Sequence, residues 1–388
     1  MLGASAVATL AWLWVRIAAS LVRAMPSDET NLLTAPGRAK FRRRLLAWYD
    51  RHRRDLPWRN DCDPYRVWLS EIMLQQTRVV AVVAHYVKFL RRFPTVEKLA
   101  TARESSVLAA WSGLGYYRRA RMLHAAAKRV VRESEGKFPS TPEGWQSLPG
   151  IGRYTSAAIA SIAFGEPVAA VDGNVERVLA RVLGWRLAEE ELWQAANDLL
   201  SAKRAGDFNQ AMMELGATVC TPRTPKCLAC PVIELCATRG ELAAAAKPDI
   251  QKRREVDYAF SRRDGTILLV QRPANSSLMP GMWELPEIDG RISVGEPGSR
   301  RAGLVPAPRQ YATSVWAVGG PAENGEDVGE PQPWLTLRHS ITTTDYTVRV
   351  WRMAAPAQVR GKWVPARRLT RVALTGLARK ILRQAGMM

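Results

Sequence analysis

The chain has 388 residues, of which 47% are hydrophobic and 24% are charged, and its formal net charge at pH 7 is +20. A chain of this length exceeds one ordinary hydrophobic core, so two or three domains are expected, and the composition is that of a globular protein. The surplus of basic residues predicts a polyanionic partner, nucleic acid first and an anionic membrane second, although arginine spread evenly over the surface accounts for part of it.

The first 24 residues, MLGASAVATLAWLWVRIAASLVRA, are apolar enough to suggest a signal or an anchor. Arg16 interrupts the apolar run, which falls short of the roughly 18–20 apolar residues of a spanning helix. No basic segment precedes the run, and a second methionine, Met25, stands just before a polar stretch. We therefore interpret residues 1–35 as an N-terminal extension that is disordered or mis-started, with a weak membrane-surface helix as the alternative.

Residues 36–240 are predicted to be almost entirely helical, because apolar residues recur at spacings of three and four between short segments containing Gly and Pro. Residues 241–255, rich in Ala, Lys and Arg, are predicted to form a linker. From residue 256 the pattern changes. The strand-like run Thr266–Val270 follows an Asp-Gly turn, and Tyr346–Trp351 alternates as a half-buried strand does. We expect residues 256–388 to form an α+β domain.

A Pro-Gly-x-Gly turn lies between two helical segments, at Leu148-Pro149-Gly150-Ile151-Gly152. Such a turn can form a hairpin whose backbone N–H groups point outward, and the positive end of the following helix adds to them, which together make an anion site. On a basic protein the simplest anion is a nucleic-acid phosphate. Taken alone, the same residues fit an ordinary turn between two helices equally well.

Four of the five cysteines lie within seventeen residues, with the spacing C-x6-C-x2-C-x5-C: Cys220, Cys227, Cys230 and Cys236. Nothing else in the chain is typical of a disulfide-dense secreted protein, so a metal is the better partner for four thiolates. Zinc sites usually pair two CxxC units, and only Cys227 and Cys230 form one. The uneven spacing favours a [4Fe–4S] cluster, with zinc as the alternative. The remaining interpretation is four unrelated buried cysteines.

The hairpin at 148–152, Asp172 in VDGNVERVLAR and the cysteine run at 220–236 together resemble the endonuclease III superfamily of DNA glycosylases. Within that superfamily, residues 40–240 resemble the MutY-type adenine DNA glycosylases. The likeness is carried by LPWR at 56–59, WLSEIMLQQT at 68–77, GLGYY at 113–117 and FNQAMM at 208–213. It implies an all-α helix-hairpin-helix domain with an iron–sulfur loop.

The resemblance implies two catalytic carboxylates. Glu71 lies in an apolar helical segment, where a carboxyl has either a partner or a raised pKa. Sequence alone slightly favours the alternative, a solvated glutamate on the polar face of the helix, whereas by resemblance Glu71 is the acid that protonates N7 of adenine. Asp172 could simply cap the helix that follows it; by resemblance it faces the cationic sugar, with Asn174 orienting it. Tyr154 stands where the lyases of the superfamily carry a nucleophilic lysine, which predicts hydrolysis without a β-lyase step.

The target adenine must leave the duplex to reach Glu71. By resemblance, Gln76 and Tyr116 fill the gap left in the base stack. The alternatives are that Gln76 is an ordinary polar residue at a helix end and that Tyr116 is an ordinary core aromatic. The other residues implied in contacts to the substrate are Arg54, Leu56, Trp58 and Gln210 for the adenine pocket, and Leu148, Gly150 and Gly152 for the hairpin. Plain core packing is the alternative for Leu56 and Trp58.

The segment Gly265–Pro286 resembles the start of a Nudix domain. The carboxylate box that holds magnesium in Nudix hydrolases does not follow it, because IDGRISVGEPGS has too few carboxylates. The resemblance therefore implies a module that recognises 8-oxoguanine and has no hydrolase activity. In the family a loop with a Phe-Ser-His-like pattern reads that base. The nearest match here is Leu337-Arg338-His339, in which only His339 fits, and a histidine satisfied within a strand is the alternative.

We therefore predict a monomeric protein of the bacterial cytosol, associated with the nucleoid and not with a membrane, that removes adenine opposite 8-oxoguanine or guanine from double-stranded DNA. An endonuclease III-like lyase for oxidised pyrimidines is one alternative, and Tyr154 and the C-terminal domain argue against it. A non-catalytic DNA-binding iron–sulfur protein is the other, and the presence of both Glu71 and Asp172 argues against it.

Overall fold

The structure is a computed structural model and describes residue 32 and residues 34–239, 252–276, 278–288, 332–341, 344–356 and 359–388. Most of the predicted N-terminal extension, most of the predicted linker and the stretch 289–331 lie outside these ranges. The chain divides into two compact units. Unit 1 comprises residues 1–76 and 129–246, and unit 2 comprises residues 77–128 and 247–388.

Helices dominate the described part of the chain up to residue 239. In chain order they are α1 (Ala35–His52), α2 (Pro64–Leu74), α3 (Val79–Arg92), α4 (Val96–Ala100), α5 (Glu104–Trp111), α6 (Tyr117–Ser134), α7 (Pro142–Gln146), α8 (Arg153–Phe164), α9 (Gly173–Leu183), α10 (Glu189–Leu199) and α11 (Ala205–Thr218). Short 3-10 turns at Pro57–Arg59, Ala202–Arg204, Cys227–Ala229 and Ile233–Leu235 complete this part. The almost entirely helical character predicted for it is confirmed.

Local sequence signals explain where several helices of unit 1 begin. A short polar side chain caps the first turn by accepting a backbone N–H, and Pro follows at the start of the helix in three of the four cases. These capping residues are Thr34 for α1, Asp63 for α2, Thr141 for α7 and Asp172 for α9. The apolar faces of α1, α9, α10 and α11 pack into one core, which includes Phe41, Leu179 and Phe208.

The strands of unit 2 follow residue 252 and form an α+β domain with helix α12 (Gly376–Gln384). In the described residues they are β1 (Lys252–Phe260), β2 (Arg262–Arg263), β3 (Thr266–Gln271), β4 (Trp283–Glu284), β5 (Glu287–Ile288), β6 (Leu335–Ile341), β7 (Thr344–Arg352) and β8 (Lys362–Pro365). One sheet has the order β5-β1-β7-β6, in which β1 and β7 are parallel. The other joins β2, β3 and β4, with β8 paired to β3.

The core of this domain lies between the strands and α12. Apolar residues of β1, β3 and β7 alternate inward and meet Ile381 and Leu382 of the helix, both of which are fully buried. The predicted change from helical to strand periodicity after the linker is confirmed. Within the described ranges, no helix is both long enough and apolar enough to cross a lipid bilayer.

Candidate active site

Glu71 lies on α2, whose flanking apolar side chains pack into the core and leave only 6% of the glutamate exposed. Burial raises the pKa of Glu71 to about 7, because an ionised carboxyl loses its hydration there. A hydrogen bond from Tyr154 lowers this pKa, the negative charge of Asp172 raises it, and the Arg59 guanidinium lowers it. The result is a buried carboxyl that holds a proton in a large share of molecules at neutral pH.

Tyr154 is the second residue of α8 and follows directly on the Pro-Gly-x-Gly hairpin. Its hydroxyl donates to Oε2 of Glu71 over 2.8 Å and lies 3.2 Å from Sδ of Met213. Burial and the negative charges of Glu71 and Asp172 raise the pKa of Tyr154 well above its ordinary value. The phenol therefore keeps its proton and serves as a fixed hydrogen-bond donor to the glutamate.

Asp172 is held rigidly at the start of α9. Its Oδ1 accepts the backbone N–H groups of Asn174 and Val175 over 2.9 and 2.8 Å, and its Oδ2 accepts the side-chain amide of Asn174 over 2.8 Å. The helix cap and the site residue are therefore the same carboxylate. Three hydrogen bonds from two residues therefore fix the orientation of this carboxyl group.

Arg177, which the sequence patterns did not single out, continues this network. One turn after Asn174, its Nη2 donates to Oδ1 of Asn174 and to the Gly216 carbonyl, both over 2.8 Å, and its Nε donates to the Cys220 carbonyl over 2.9 Å. The Asn174–Arg177 spacing of three residues on a helix was the available sequence signal. Arg177 therefore links the residue that orients Asp172 to the first residue of the cysteine run.

Gly216 allows α11 to approach this network closely. A Cβ atom at residue 216 would lie 2.6 Å from Cβ of Asn174 and 3.0 Å from its carbonyl oxygen. Any larger residue would push against the turn that holds Asp172. The glycine is therefore needed for the position of that turn.

A second buried glutamate, Glu214, has the opposite surroundings. Its side chain is 1% exposed, and it accepts Nε and Nη2 of Arg54 over 2.6 and 2.8 Å and Nη2 of Arg59 over 2.8 Å. Burial acts to raise the pKa of Glu214, but the two arginines outweigh it and hold the pKa below its ordinary value. Sequence patterns did not predict this group, because its partners lie about 160 residues away.

The residues expected in the adenine pocket lie close to this ion pair. Arg54 is engaged with Glu214, whereas Leu56 and Trp58 are 6% and 8% exposed. Gln210 is half-buried on α11. The low exposure of Leu56 and Trp58 fits core packing and does not exclude a pocket wall.

Gln76 and Tyr116 share an uncommon backbone conformation. Their φ angles are 54° and 47°, in the left-handed region that residues other than glycine rarely adopt. Gln76 is exposed, and the Tyr116 side chain is 46% exposed. Arg119 stacks under the Tyr116 ring, with its guanidinium carbon 5.4 Å from the ring centroid. Strain of this kind concentrates at functional positions, which is why both remain candidates for contact with a partner.

The hairpin has the predicted form. Gly150 has a φ of 80°, and Gly152 precedes α8 without a side-chain cap. Leu148 is buried, with 7% exposure. The first-turn N–H groups of α8 are thus not taken by a capping side chain, as an anion site requires.

The four cysteines of the run line a single cavity together with apolar residues that include Val178, Leu215 and Val232. Burial, with the nearby thiols adding to it, raises the pKa of Cys230 to about 11. Arg181 donates to Sγ of Cys220 over 3.3 Å, as it would to a thiolate. Four thiols in one cavity are suited to binding a metal ion or a metal cluster, whose positive charge would stabilise them as thiolates.

Among the residues that the structure describes, no three Cys, His, Asp or Glu side chains are gathered closely enough to hold one metal ion. The preference for a cluster over a single zinc ion therefore rests on the uneven spacing of the four cysteines in the sequence.

His339 lies within β6 rather than in a loop. Leu337 of the same strand is buried in the core of the domain, and Arg338 between them is exposed, as strand alternation requires. Burial and the positive charge of Lys380 lower the pKa of His339. Residues 342–343, between β6 and β7, lie outside the described ranges. The expected match to a reading loop at Leu337-Arg338-His339 thus falls on a paired strand.

Comparisons with known proteins agree with this architecture. A model of the HhH-GPD superfamily of base excision DNA repair proteins matches residues 69–201, and a model of the NUDIX domain matches residues 258–384. A solved structure of a thermostable thymine-DNA glycosylase is 32% identical and covers 53% of this chain and 97% of its own, with a TM-score of 0.50. The predicted order of a helix-hairpin-helix domain and a Nudix-like domain is confirmed.

Curated relatives cover more of the chain. The human adenine DNA glycosylase is 37% identical over 390 residues, which amount to 84% of this chain and 69% of that protein. The mouse adenine DNA glycosylase is 42% identical over 311 residues, which amount to 64% of this chain and 60% of that protein.

The raised pKa of Glu71 predicts how stability depends on pH. Between the ordinary value of 4.5 and about 7, the folded protein binds more protons at Glu71 than the unfolded chain, so its stability falls as pH rises through that window. We expect Glu71→Gln to raise the urea midpoint at pH 8 by the equivalent of about 1–3 kcal/mol and to leave it nearly unchanged at pH 5. Glu135→Gln, an exposed matched control, should shift neither midpoint. If Glu71→Gln were less stable than wild type at pH 8, the conclusion that the ionised Glu71 carboxyl destabilises the folded protein would be wrong.

Proposed function

This chain belongs to the family of adenine DNA glycosylases, and from that premise we propose that it removes adenine opposite 8-oxoguanine or guanine and leaves an abasic site. One observation carries the proposal: Glu71, a buried carboxyl with a pKa raised to about 7, accepts Tyr154 over 2.8 Å, while Asp172 is held by three hydrogen bonds. A carboxyl that can deliver a proton and a second carboxyl group fixed by hydrogen bonds are the pair that cleavage of an N-glycosidic bond requires.

Glu71 supplies the proton in the proposed reaction. Because Tyr154 donates to Oε2 of Glu71, Oε1 is the oxygen that can carry the proton toward N7 of the adenine. Protonation makes adenine a better leaving group, since the electrons of the breaking C–N bond pass to a neutral rather than an anionic base. The site is buried, so bulk water does not compete for that proton.

Asp172 acts on the sugar. Loss of the base leaves positive charge on the anomeric carbon and the ring oxygen, and a fixed carboxylate stabilises that charge without having to reorganise. Water then attacks the anomeric carbon, either directly or after a transient ester to Asp172. Asn174 is a positioning residue here, because it donates two of the three hydrogen bonds that hold the carboxylate. No amine stands at residue 154, so no Schiff base is expected.

DNA binding in the proposal uses the hairpin and the two strained residues. The uncapped N-terminus of α8, at Gly152, suits a backbone phosphate. The base is extruded into the site, and Gln76 and Tyr116 occupy the vacated stack. The Nudix-like domain reads the opposite base, with His339 as the candidate contact. A monomer suffices for this, because the residues assigned to the chemistry come from one chain.

The cysteine run would hold a [4Fe–4S] cluster through Cys220, Cys227, Cys230 and Cys236. When bound, the cluster supplies structural cross-linking of the loop and takes no part in hydrolysis, which needs no electron transfer. Arg223 and Lys226 lie within the run and would be fixed by it. Basic residues in such a loop suit a DNA phosphate.

Single-turnover adenine release tests the proposal directly. We expect rapid release from a duplex with adenine opposite 8-oxoguanine, slower release opposite guanine and none opposite thymine. Glu71→Gln should lower the rate by at least about 100-fold, because the amide cannot donate the proton, whereas Glu135→Gln should match wild type. Equal release from all three duplexes would contradict the reading of the opposite base, and activity retained in Glu71→Gln would contradict the assigned acid.

The rate should also follow the protonation of Glu71. It should be level below pH 7 and fall about tenfold per pH unit above it, because only the protonated acid is active. Tyr154→Phe removes the hydrogen bond that lowers this pKa, so the falling limb should move to higher pH. A limb that moves to lower pH would show that Tyr154 does not stabilise the ionised glutamate.

The metal can be identified without an activity assay. Protein purified without oxygen should show the broad visible absorption of an iron–sulfur cluster and bind about four irons per chain. Cys230→Ala should abolish the absorption, and Cys62→Ala, which changes the exposed cysteine outside the run, should keep it. Bound zinc with no visible absorption would support the alternative metal.

A further inference from the structure

We propose that Ser112 and Tyr117 hold the turn of residues 113–116, named here the wedge turn, to the main-chain carbonyl of Leu374, so that the Nudix-like domain sets the position of Tyr116. The inference rests on the proposed function, in which Tyr116 enters the base stack. It adds positioning residues for that step. Residues 77–128 and 247–388 form one compact unit, so these contacts lie within unit 2.

The wedge turn has an unfavourable backbone conformation, which requires contacts from the surrounding residues to maintain it. Gly113 and Gly115 have φ angles of 110° and 73°, and Tyr116 follows in the left-handed region at 47°. A Cβ atom at residue 113 would lie 3.0 Å from Nε2 of His85, so the turn is also closely packed. The Trp111 indole donates to the Gly115 carbonyl over 3.1 Å. A strained turn persists only where its surroundings determine it.

The residues on either side of the wedge turn bind one acceptor. The hydroxyls of Ser112 and Tyr117 donate to the Leu374 carbonyl over 2.9 and 3.0 Å, and they are 4% and 3% exposed. Both lone pairs of that oxygen are therefore used. Arg379 of α12 donates from Nε to the Ser112 hydroxyl over 3.0 Å, which leaves that hydroxyl free to donate to Leu374. The wedge turn thus begins and ends on one atom of the Nudix-like domain.

The Leu374 carbonyl is itself well fixed. The Leu374 side chain is fully buried, and its backbone forms a parallel bridge with Trp283 of β4. On either side of it, the Trp283 N–H donates to the Ala373 carbonyl over 2.8 Å, and the Thr375 N–H donates to the Trp283 carbonyl over 2.9 Å. A displacement of β4 would therefore move the acceptor of the wedge turn.

These contacts are suited to positioning rather than to general stability. Each neutral hydrogen bond contributes little to folding, whereas a misplacement of about 1 Å in a reacting complex can lower a rate about 100-fold. The ring of Tyr116 is exposed and is not held by core packing on all sides. Its position therefore depends on how firmly its own backbone is fixed. The Nudix-like domain, which reads the opposite base in the proposed function, would then also hold Tyr116 in position to enter the duplex, through the Leu374 carbonyl.

The double variant Ser112→Ala/Tyr117→Phe tests this inference, because it removes both donors and keeps the ring and the backbone. Two duplexes contain adenine opposite 8-oxoguanine, one fully paired elsewhere and one with mismatched neighbours that already unstack the adenine. We expect the double variant to lose at least about tenfold in single-turnover rate on the paired duplex and less than about threefold on the unstacked one. Ser261→Ala and Tyr258→Phe are matched controls, buried in the same domain, and should behave as wild type on both.

A second readout needs no chemistry. A 2-aminopurine placed beside the target adenine should brighten when wild type binds and unstacks the duplex, and the brightening should be lost in the double variant. Equal losses of rate on both duplexes, or an unchanged fluorescence response, would overturn the inference. If the double variant does not fold, Tyr117→Phe alone should show the same selective loss at smaller size. Failure of wild type to release adenine would refute the proposed function instead, and the fluorescence response would still decide the role of the wedge turn.

Discussion

Removal of the Glu71 carboxyl from water is the constraint on which the site depends. A second buried glutamate, Glu214, shows that burial alone does not decide the outcome, because two arginines keep that one ionised. In the part of the chain that the structure describes, Glu71 accepts the Tyr154 phenol, and the charges of Asp172 and Arg59 act on its pKa in opposite directions. The pKa of the same residue type is thus raised in one place and lowered in the other, through its surroundings alone.

Asp172 depends on a different set of forces. Its carboxylate is held by Asn174, and Asn174 is held by Arg177, which also donates to the Gly173, Gly216 and Cys220 carbonyls. The last of these carbonyls belongs to the first residue of the cysteine run. The geometry of the Asp172 carboxyl group is therefore tied, through Asn174 and Arg177, to the backbone of the cysteine run. A change in the conformation of the cysteine run would therefore be transmitted to the position of Asp172.

Much of this could be predicted from the sequence, because it is local. The helical and strand periodicities, the hairpin at 148–152 and the spacing of the four cysteines are each contained in short segments, and the residues Glu71, Tyr154 and Asp172 stand in recognisable motifs. What could not be predicted are effects created by distant contacts. The raised pKa of Glu71 requires the burial of α2, and the Glu214 ion pairs and the Leu374 contacts join residues from about 155 to more than 250 positions apart. The placement of Leu337-Arg338-His339 within β6 likewise depends on pairing with β7.

The division of the chain into interleaved units has a consequence for biosynthesis. Ser112 and its acceptor at Leu374 are separated by 262 residues, so the segment 77–128 leaves the ribosome long before the strands and helix that complete its unit. At about 5–20 residues per second, that delay lasts roughly 13–50 s. During this time Ser112 and Tyr117, whose hydroxyls donate to the Leu374 carbonyl in the folded unit, lack that acceptor. Truncation of the C-terminal domain would therefore harm the folding of a helical segment that lies far ahead of it in the sequence.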